Sequence, residues 1–365
     1  MSKFEFEYTG NLKWLPERTI YVTKHGSHSY GTSIPTSDLD IRGVCIAPKE
    51  YYFGFSQAFE QATQAEPDLT IFELRKFLSL ATDANPNVLE LLFTDQSDHL
   101  LTTPLGERLL ANRGLFLSKR VKFTFQGYAH SQMKRIATHR RWLLNPVEKH
   151  PSRGEFGLPE RTVLPADQLA AAQAAISKRV DEWTWNELES VGPDIRIALQ
   201  AEFTRRLLEI TQWGEDQVVG KVWQAAGTAL GFDTNFLQVM DQERRYLASL
   251  REYQQYQEWK KNRNPIRAEM EAKFGFDGKH ALHLVRLSRC CKELLLTGEL
   301  NVRRPDAEEL LSIRKGAWTF DQLMSWFEKQ DTEIEAAYLS STLPKSPDRP
   351  KINDLCVSMV EESFG

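Results

Sequence analysis

Two pairs of residues near the start of the chain have side chains and a spacing that suit phosphate and metal chemistry. Gly26 and Ser27 follow an apolar run, and Asp38 and Asp40 come about ten residues later. Glycine lets a backbone approach a ligand closely, and the N–H groups of the turn or helix start that follows can hold a phosphate. Two carboxylates on one rigid element can hold a divalent cation, and oxygen ligands favour a hard ion such as Mg²⁺.

These residues are expected to lie on or beside two short strands. The apolar runs within residues 19–46 are rich in Val, Ile and Tyr, which is typical of buried strands. Because side chains alternate along a strand, Asp38 and Asp40 are predicted to project from one side, with Leu39 and Ile41 pointing into a core. Either motif alone is common in surface loops, so the combination at this spacing is what indicates a functional site.

A third candidate strand starts at residue 68, in the segment DLTIFELRKFL. Leu69 and Ile71 alternate as on a strand, and the pattern then changes to a helical period. Two acids flank this strand, Asp68 at its start and Glu73 at its end. The simpler interpretation of Glu73 is an acid at a helix start, which the helix dipole favours.

A basic stripe is predicted on a helix that begins near residue 278. Asp277 suits the N-cap position of this helix. Lys279, His283 and Arg286 then follow at i, i+4 and i+7, so they share one face. Lysine and arginine on one face suit a polyphosphate clamp. The alternative is a solvated stripe, or histidines at the edge of the core that are satisfied by hydrogen bonds.

The composition sets limits on the class of protein. The chain has 365 residues, enough for two domains or one elaborated domain, and its net charge of −4 gives no global basic signature for nucleic acid. Its four cysteines lack C-x-x-C spacing, which fits a reducing cytosol and predicts a cytoplasmic protein. No apolar run approaches the roughly 18 residues of a membrane span, so no membrane partner is expected.

The predicted fold class is α+β, with a small mixed β-sheet core and helices, followed by a mainly α-helical C-terminal region. The helical prediction starts at Pro104 and is interrupted by a segment rich in Pro and Gly from about residue 145. The tail contains Pro344, Pro347 and Pro350, which favour extended or disordered chain. The predicted organisation is a catalytic core in 1–100, a helical domain in 101–340 that completes the nucleotide site and carries an insertion at about 145–260, and an extended tail in 341–365.

Several separated motifs, taken in order, resemble one known family. The segments are GSHSYGTSIPTSDLDIRGV, DLTIFELRKFL, KFGFDGKHALHLVRL and LLLTGELNVRRPDAEELLSIRKG. They look like the predicted nucleotidyltransferases of the DNA polymerase β superfamily that are found beside RNA-repair ligases and in phage genomes. The resemblance covers most of residues 19–142 and 262–325 and leaves the middle of the chain without a motif.

The resemblance implies roles for individual residues. It makes Asp38 and Asp40 the paired metal ligands, with Mg²⁺ or Mn²⁺ as the cofactor. It makes Asp68 the third carboxylate, and Glu73 remains the alternative. Nucleotide or phosphate binding is assigned to Gly26, Ser27, Arg42, Lys279, His283 and Arg286.

The activity implied by the resemblance is transfer of a nucleoside monophosphate from a nucleoside triphosphate such as ATP to an acceptor hydroxyl, with release of pyrophosphate. The acceptor is an RNA end, a protein hydroxyl or a small molecule. Two alternatives from other classes stay open at this point. One is an antitoxin-like enzyme that nucleotidylates a protein, and the other is a non-catalytic nucleotide- or RNA-binding module.

Overall fold

The computed structural model describes residues 8–55, 59–162, 165–185, 215–263 and 265–365. The chain divides into two compact units, one formed by residues 1–143 with 264–365 and the other by residues 144–263. The predicted insertion at 145–260 falls in the second unit, and its residues 186–214 lie outside the described part of the chain.

The first unit contains a five-stranded mixed sheet with the strand order β3–β4–β2–β1–β5. Its strands are β1 (Thr19–His25), β2 (Asp40–Cys45), β3 (Gln61–Gln64), β4 (Leu69–Glu73) and β5 (His99–Thr102). Strands β2 and β4 run parallel, and every other neighbouring pair is antiparallel. The N-terminal ends of β2 and β4 therefore meet the C-terminal end of β1 at one end of the sheet.

Helices make up most of the remaining described chain. They are α1 (Leu15–Arg18), α2 (Ser27–Tyr30), α3 (Glu50–Phe53), α4 (Leu74–Thr82), α5 (Pro86–Leu89), α6 (Pro104–Ala111), α7 (Val121–Leu144), α8 (Ala166–Trp185), α9 (Glu215–Ala229), α10 (Thr234–Lys261), α11 (Pro265–Phe274), α12 (Gly278–Thr297), α13 (Ala307–Arg314), α14 (Phe320–Ser340) and α15 (Arg349–Phe364). Short 3₁₀ helices occupy Glu90–Phe93, Gln96–Asp98, Arg113–Phe116 and Arg153–Phe156. The predicted α+β class, with a small sheet followed by a mainly helical region, is confirmed.

The two faces of the sheet bury different residues. Because side chains alternate along a strand, Val22 and Ile41 share one face, where they belong to a small apolar cluster. Tyr21 and Val44 lie on the other face, which the helices of the first unit cover to form the main hydrophobic core. Asp40 alternates with Ile41 and therefore lies on this helix-covered face, at the end of its strand.

Helix α12 is fixed at both ends by its sequence. Asp277 caps the start, as predicted, because its Oδ1 accepts hydrogen bonds from the N–H groups of Lys279 at 2.7 Å and His280 at 3.4 Å. Gly298 ends the helix in the left-handed conformation at φ 73°. The apolar side of α12 belongs to the main hydrophobic core, so the helix is held in place from its first turn, where Ala281 and Leu282 are buried.

The prediction of an extended tail in 341–365 is wrong, because α15 occupies most of that segment. Asp348 caps this helix by accepting a hydrogen bond from the N–H of Lys351 at 3.2 Å. Pro350 lies in the first turn, where the backbone N–H has no acceptor within the helix. Proline at this position is therefore compatible with the helix. The side chains that anchor α15 to the core are Ile352, Leu355 and Met359.

The second unit has its own apolar cluster between α8, α9 and α10. Ile176 and Met240 are fully buried in it. In the described ranges of both units, every helix is too short or too polar to span a bilayer.

Candidate active site

Strand pairing brings Asp40 and Asp68 together at the end of the sheet. Ile41 on β2 pairs in parallel with Leu69 on β4, and the N–H of Ile41 donates to the carbonyl of Asp68 at 2.8 Å. Each aspartate precedes one of these paired residues, so both come from neighbouring strand starts. Their carboxyl groups lie within hydrogen-bonding reach of each other.

The two carboxyl groups have opposite pKa shifts. Burial, and then the hydrogen bond to Asp68, raises the pKa of Asp40 to about 6. Hydrogen bonding to Arg42 lowers the pKa of Asp68, so Asp68 stays ionised while Asp40 takes up the proton as the pH falls. A carboxylate pair that relieves its repulsion by holding a proton has the oxygen atoms and the negative charge to accept a divalent cation instead.

Arg42 is bound to the carboxylate pair by both arms of its guanidinium group. Its Nη1 and Nη2 donate to the two carboxylate oxygens of Asp68 at 2.9 and 3.1 Å, a bidentate arrangement. Nη2 also lies 3.4 Å from Oδ1 of Asp40. Nη1 is anchored further by the carbonyls of Ile41 and Asp68, at 2.9 and 3.0 Å. The predicted phosphate ligand Arg42 is therefore a counter-ion of the two aspartates in this state.

The turn at Gly26 fits closely against Asp40. Gly26 has φ 65° and ψ −141°, which is accessible essentially only to glycine. A Cβ atom at Gly26 would lie 2.3 Å from Oδ2 of Asp40, so the carboxylate occupies the space that any side chain would need. Ser27 is the first residue of α2, and the first N–H groups of a helix have no intrahelical acceptors. Gly26, from the predicted phosphate-binding pair, is therefore in direct contact with Asp40, from the predicted metal-binding pair.

Asp38 lies in a different position from the predicted one. Strand β2 begins at Asp40, so Asp38 is in the preceding loop and is exposed, and Leu39 is 40% exposed rather than buried. The expectation that Asp38 and Asp40 share a strand face is wrong, because the parallel pairing with β4 starts only at Ile41. A hydrogen-bonded turn between Ile34 and Ser37 shapes the loop instead.

Glu73 lies away from the site, at the far end of its strand. It is the last residue of β4, whereas Asp68 precedes the first, so the two acids lie at opposite ends of that strand. Its carboxylate caps α4 by accepting from the N–H groups of Arg75 and Lys76, and it accepts from Oη of Tyr52 at 2.5 Å. These bonds account for Glu73 as a buried helix cap, the simpler of its two interpretations.

Three carboxylates therefore do not form the predicted cluster. The structure brings Asp40 and Asp68 together, and across the described ranges no group of three or more His, Cys, Asp or Glu side chains is arranged to hold a metal ion. The roles of Asp38, Asp40 and Asp68 as metal ligands stay predictions.

Helix α12 contributes only part of its predicted basic stripe. Lys279 is exposed, and it is near enough to Asp40 for its charge to lower the pKa of that carboxyl against the larger effect of burial. His283 is only partly exposed, and burial lowers its pKa to about 3, so it is neutral at physiological pH. Arg286 is buried, with 3% of its side chain exposed. Of the predicted basic stripe, only Lys279 is exposed, because the helix turns His283 and Arg286 toward the core.

Arg286 instead belongs to a buried cluster with Glu90 and Tyr30. Its Nη1 lies 2.5 Å from Oε1 of Glu90, and Oη of Tyr30 donates to Oε2 of Glu90 at 2.8 Å. The guanidinium carbon lies 3.7 Å from the centroid of the Tyr30 ring, within cation–π range. Tyr30 is the last residue of α2, so this cluster fixes the helix that begins at Ser27 to α12.

His25 is a residue of the site that the sequence-based reasoning missed. It pairs with Asp40 across β1 and β2, and it is buried, with no hydrogen-bonding partner for Nδ1 within the described residues. Burial lowers its pKa to about 4. The sequence does contain a signal for this role, because His25 ends an apolar strand and directly precedes Gly26.

Comparison with known proteins agrees with this geometry. Residues 4–145 match the model of a family described as the RNA repair pathway DNA polymerase beta family. This match supports the predicted superfamily for the N-terminal part of the chain.

Two curated proteins are similar to the chain. The uncharacterized protein YcgL of Bacillus subtilis (strain 168) is 35% identical over 83 residues, which are 21% of this chain and 31% of that protein. An uncharacterized 38.9 kDa protein encoded in the nrdC–mobD intergenic region of Enterobacteria phage T4 is 23% identical over 354 residues, covering 88% of this chain and 89% of the phage protein. No solved structure matches the chain.

Proposed function

We propose that residues 4–145, which match the model of the RNA repair pathway DNA polymerase beta family, form the catalytic core of a nucleotidyltransferase. The enzyme transfers a nucleoside monophosphate from a nucleoside triphosphate to an acceptor hydroxyl and releases pyrophosphate. The observation that carries the proposal is the convergence of Asp40 and Asp68 beside the turn at Gly26. The charge of Lys279 at Asp40 supports the same assignment.

The carboxylate pair fits a magnesium or manganese ion. Asp40 and Asp68 offer oxygen ligands on two neighbouring strand starts, and they are already close enough to share a proton. Mg²⁺ is commonly held by one or two carboxylates and takes its other ligands from water and substrate phosphates, so a third protein carboxylate is not required. The bound ion would neutralise charge on the triphosphate and lower the pKa of the acceptor hydroxyl. Asp38, in the loop before β2, stays a candidate further ligand.

The other residues of the site act on the phosphates. The backbone N–H groups after Gly26, at the start of α2, are donors for the β- and γ-phosphates. Lys279 provides a positive charge near Asp40, where negative charge accumulates on the departing pyrophosphate. Asp68 would act as a ligand of the ion, because its carboxylate oxygens are of the kind that Mg²⁺ prefers.

The bond changes are those of an in-line displacement. The acceptor oxygen forms a bond to the α-phosphorus, the bond from that phosphorus to the bridging oxygen of pyrophosphate breaks, and the acceptor proton leaves to solvent. The proposed acceptor is an RNA end, which the description of the matching family supports. Protein hydroxyls and small molecules are the other outcomes of the test.

The test is to follow the label from each α-labelled nucleoside triphosphate, with Mg²⁺ or Mn²⁺, into the RNA, protein and small-molecule fractions of a cell extract. We expect the wild-type chain to label RNA and Asp40→Asn to lose the labelling. Asp354→Asn, an exposed aspartate on α15, is the matched control and should behave as wild type. Label in protein would identify a protein-modifying enzyme, and folded wild-type protein that labels no fraction would refute the assignment as an enzyme.

A further inference from the structure

The guanidinium group of Arg42 occupies the position at which a cation would neutralise the two aspartates. It takes both oxygens of Asp68, at 2.9 and 3.1 Å, and approaches Oδ1 of Asp40 at 3.4 Å. The Arg42 side chain is only 19% exposed, so this contact is partly shielded from water and salt. A divalent ion on the same oxygens would meet a positive charge already bound there.

We propose that Arg42 is a coupling residue that competes with the divalent cation for Asp40 and Asp68 until the triphosphate arrives and takes the guanidinium group in their place. The inference rests on the proposed function and adds to it an order of binding. The nucleotide-free enzyme holds metal weakly, and metal and nucleotide bind together.

The anchoring of Arg42 makes this exchange a local one. Its Nη1 is held by the carbonyls of Ile41 and Asp68, which lie where β2 and β4 begin their parallel pairing. Only the bonds to the carboxylates have to be given up. A guanidinium fork matches phosphate as well as carboxylate, so a phosphate placed at the turn after Gly26 can replace the lost contacts.

Thermodynamic linkage then fixes the direction of the coupling. If the triphosphate releases Arg42 from the carboxylates, it increases the affinity for the metal, and the metal must increase the affinity for the triphosphate by the same factor. In the nucleotide-free protein, the metal has to replace a charge-assisted hydrogen bond between Arg42 and the carboxylates. Removing that bond beforehand corresponds to about a tenfold gain in affinity for the metal. We therefore expect Arg42→Gln to bind metal about tenfold more tightly than wild type in the absence of nucleotide.

The experiment measures Mn²⁺ binding by electron paramagnetic resonance on the full chain, with and without a nucleotide analogue that has a methylene group between the α- and β-phosphates. For wild type, we expect weak Mn²⁺ binding alone and about tenfold tighter binding with the analogue. For Arg42→Gln, we expect tight binding alone and little further gain. If Arg42→Gln binds Mn²⁺ no more tightly than wild type, or keeps the full gain with the analogue, the proposal is overturned.

Three further variants complete the design. Arg75→Gln removes an arginine that pairs with Glu73 at the other end of β4, and it should match wild type in both measurements. Arg42→Met also removes the guanidinium charge and serves if Arg42→Gln does not fold, and a result equal to wild type in both measurements would overturn the proposal. Asp40→Asn should lose Mn²⁺ binding, and its retention would show that the ion binds elsewhere. Because Mn²⁺ binding is measured without any reaction, the affinities can be determined even if the protein releases no pyrophosphate.

Discussion

Substitution of Gly26 by alanine tests the contact on which the proposed site depends. The new Cβ atom would lie 2.3 Å from Oδ2 of Asp40, whereas ordinary van der Waals contact begins at 3.4 Å. The carboxylate must therefore move by about 1 Å, and a displacement of that size in a catalytic group can reduce the rate by about 100-fold. The backbone conformation of Gly26 adds strain of about 1–3 kcal/mol to the alanine variant, which lowers the free energy of unfolding.

Gly31 provides a control that separates backbone strain from the clash. It also has a positive φ, 75°, but a Cβ atom there would meet its nearest neighbour, Cβ of Ala307, at 3.6 Å. Gly31→Ala should therefore lose about 1–2 kcal/mol in free energy of unfolding and keep its rate of pyrophosphate release within about threefold. Urea unfolding and a pyrophosphate-release assay measure the two quantities. The reasoning is refuted if Gly26→Ala keeps the wild-type rate, or if Gly31→Ala loses as much activity as Gly26→Ala.

Two further predictions concern buried charges. Arg286→Met leaves the fully buried carboxylate of Glu90 without its cation, so we expect the free energy of unfolding in urea to fall by about 3–5 kcal/mol. The double variant with Glu90→Gln should recover part of this loss. A loss under 1 kcal/mol for Arg286→Met would contradict the role of this ion pair. Burial lowers the pKa of His25 from its ordinary value of 6.5 to about 4 in the folded protein, so the unfolded chain binds more protons between these pH values. The stability that depends on neutral His25 is therefore fully present above pH 6.5 and is lost as the pH falls toward 4. This loss should reach about 3 kcal/mol for His25, and His25→Gln should flatten that part of the stability–pH profile, whereas exposed His150→Gln should leave it unchanged.

The sequence predicted the parts of the site that depend on local pattern. Apolar runs rich in Val, Ile and Tyr located β1 and β2, and the alternation of apolar residues located β4. The capping preference of Asp277 located the start of α12. Asp68 was preferred over Glu73 from the resemblance, and the structure places Asp68 beside Asp40 and Glu73 at the opposite end of β4.

The errors arose where contacts distant in the sequence decide the outcome. The strand β2 starts at Asp40 because its partner β1 ends at His25, which pairs with Asp40, and its other partner β4 pairs only from Leu69 onward. No local pattern around Asp38 contains that information. Helical spacing placed Arg286 on a face with Lys279, but the buried acid that draws Arg286 into the core, Glu90, is 196 residues away in the chain. The sequence pattern around Arg286 could show neither that Glu90 is its partner nor that its side chain is buried.

The proline-rich tail shows a different limit of sequence reasoning. Pro344, Pro347 and Pro350 were interpreted together as extended chain, although Pro350 lies at a helix start, where proline is favoured. Whether such a segment forms a helix depends on whether an apolar surface is present to bury its Ile352, Leu355 and Met359. That surface is contributed by other parts of the chain.

The most direct test of the account compares Asp68→Asn with Glu73→Gln in a pyrophosphate-release assay, after urea unfolding has shown that both variants are folded. These two acids bracket one strand, and only Asp68 lies beside Asp40. We expect Asp68→Asn to lose at least about 100-fold in rate, the size of effect that follows loss of a group that stabilises transition-state charge. Glu73→Gln can still accept the hydrogen bonds that cap α4, so it should keep its rate within a few-fold. The opposite result, an active Asp68→Asn and an inactive Glu73→Gln, would contradict the assignment of the Asp40–Asp68 pair as the catalytic centre.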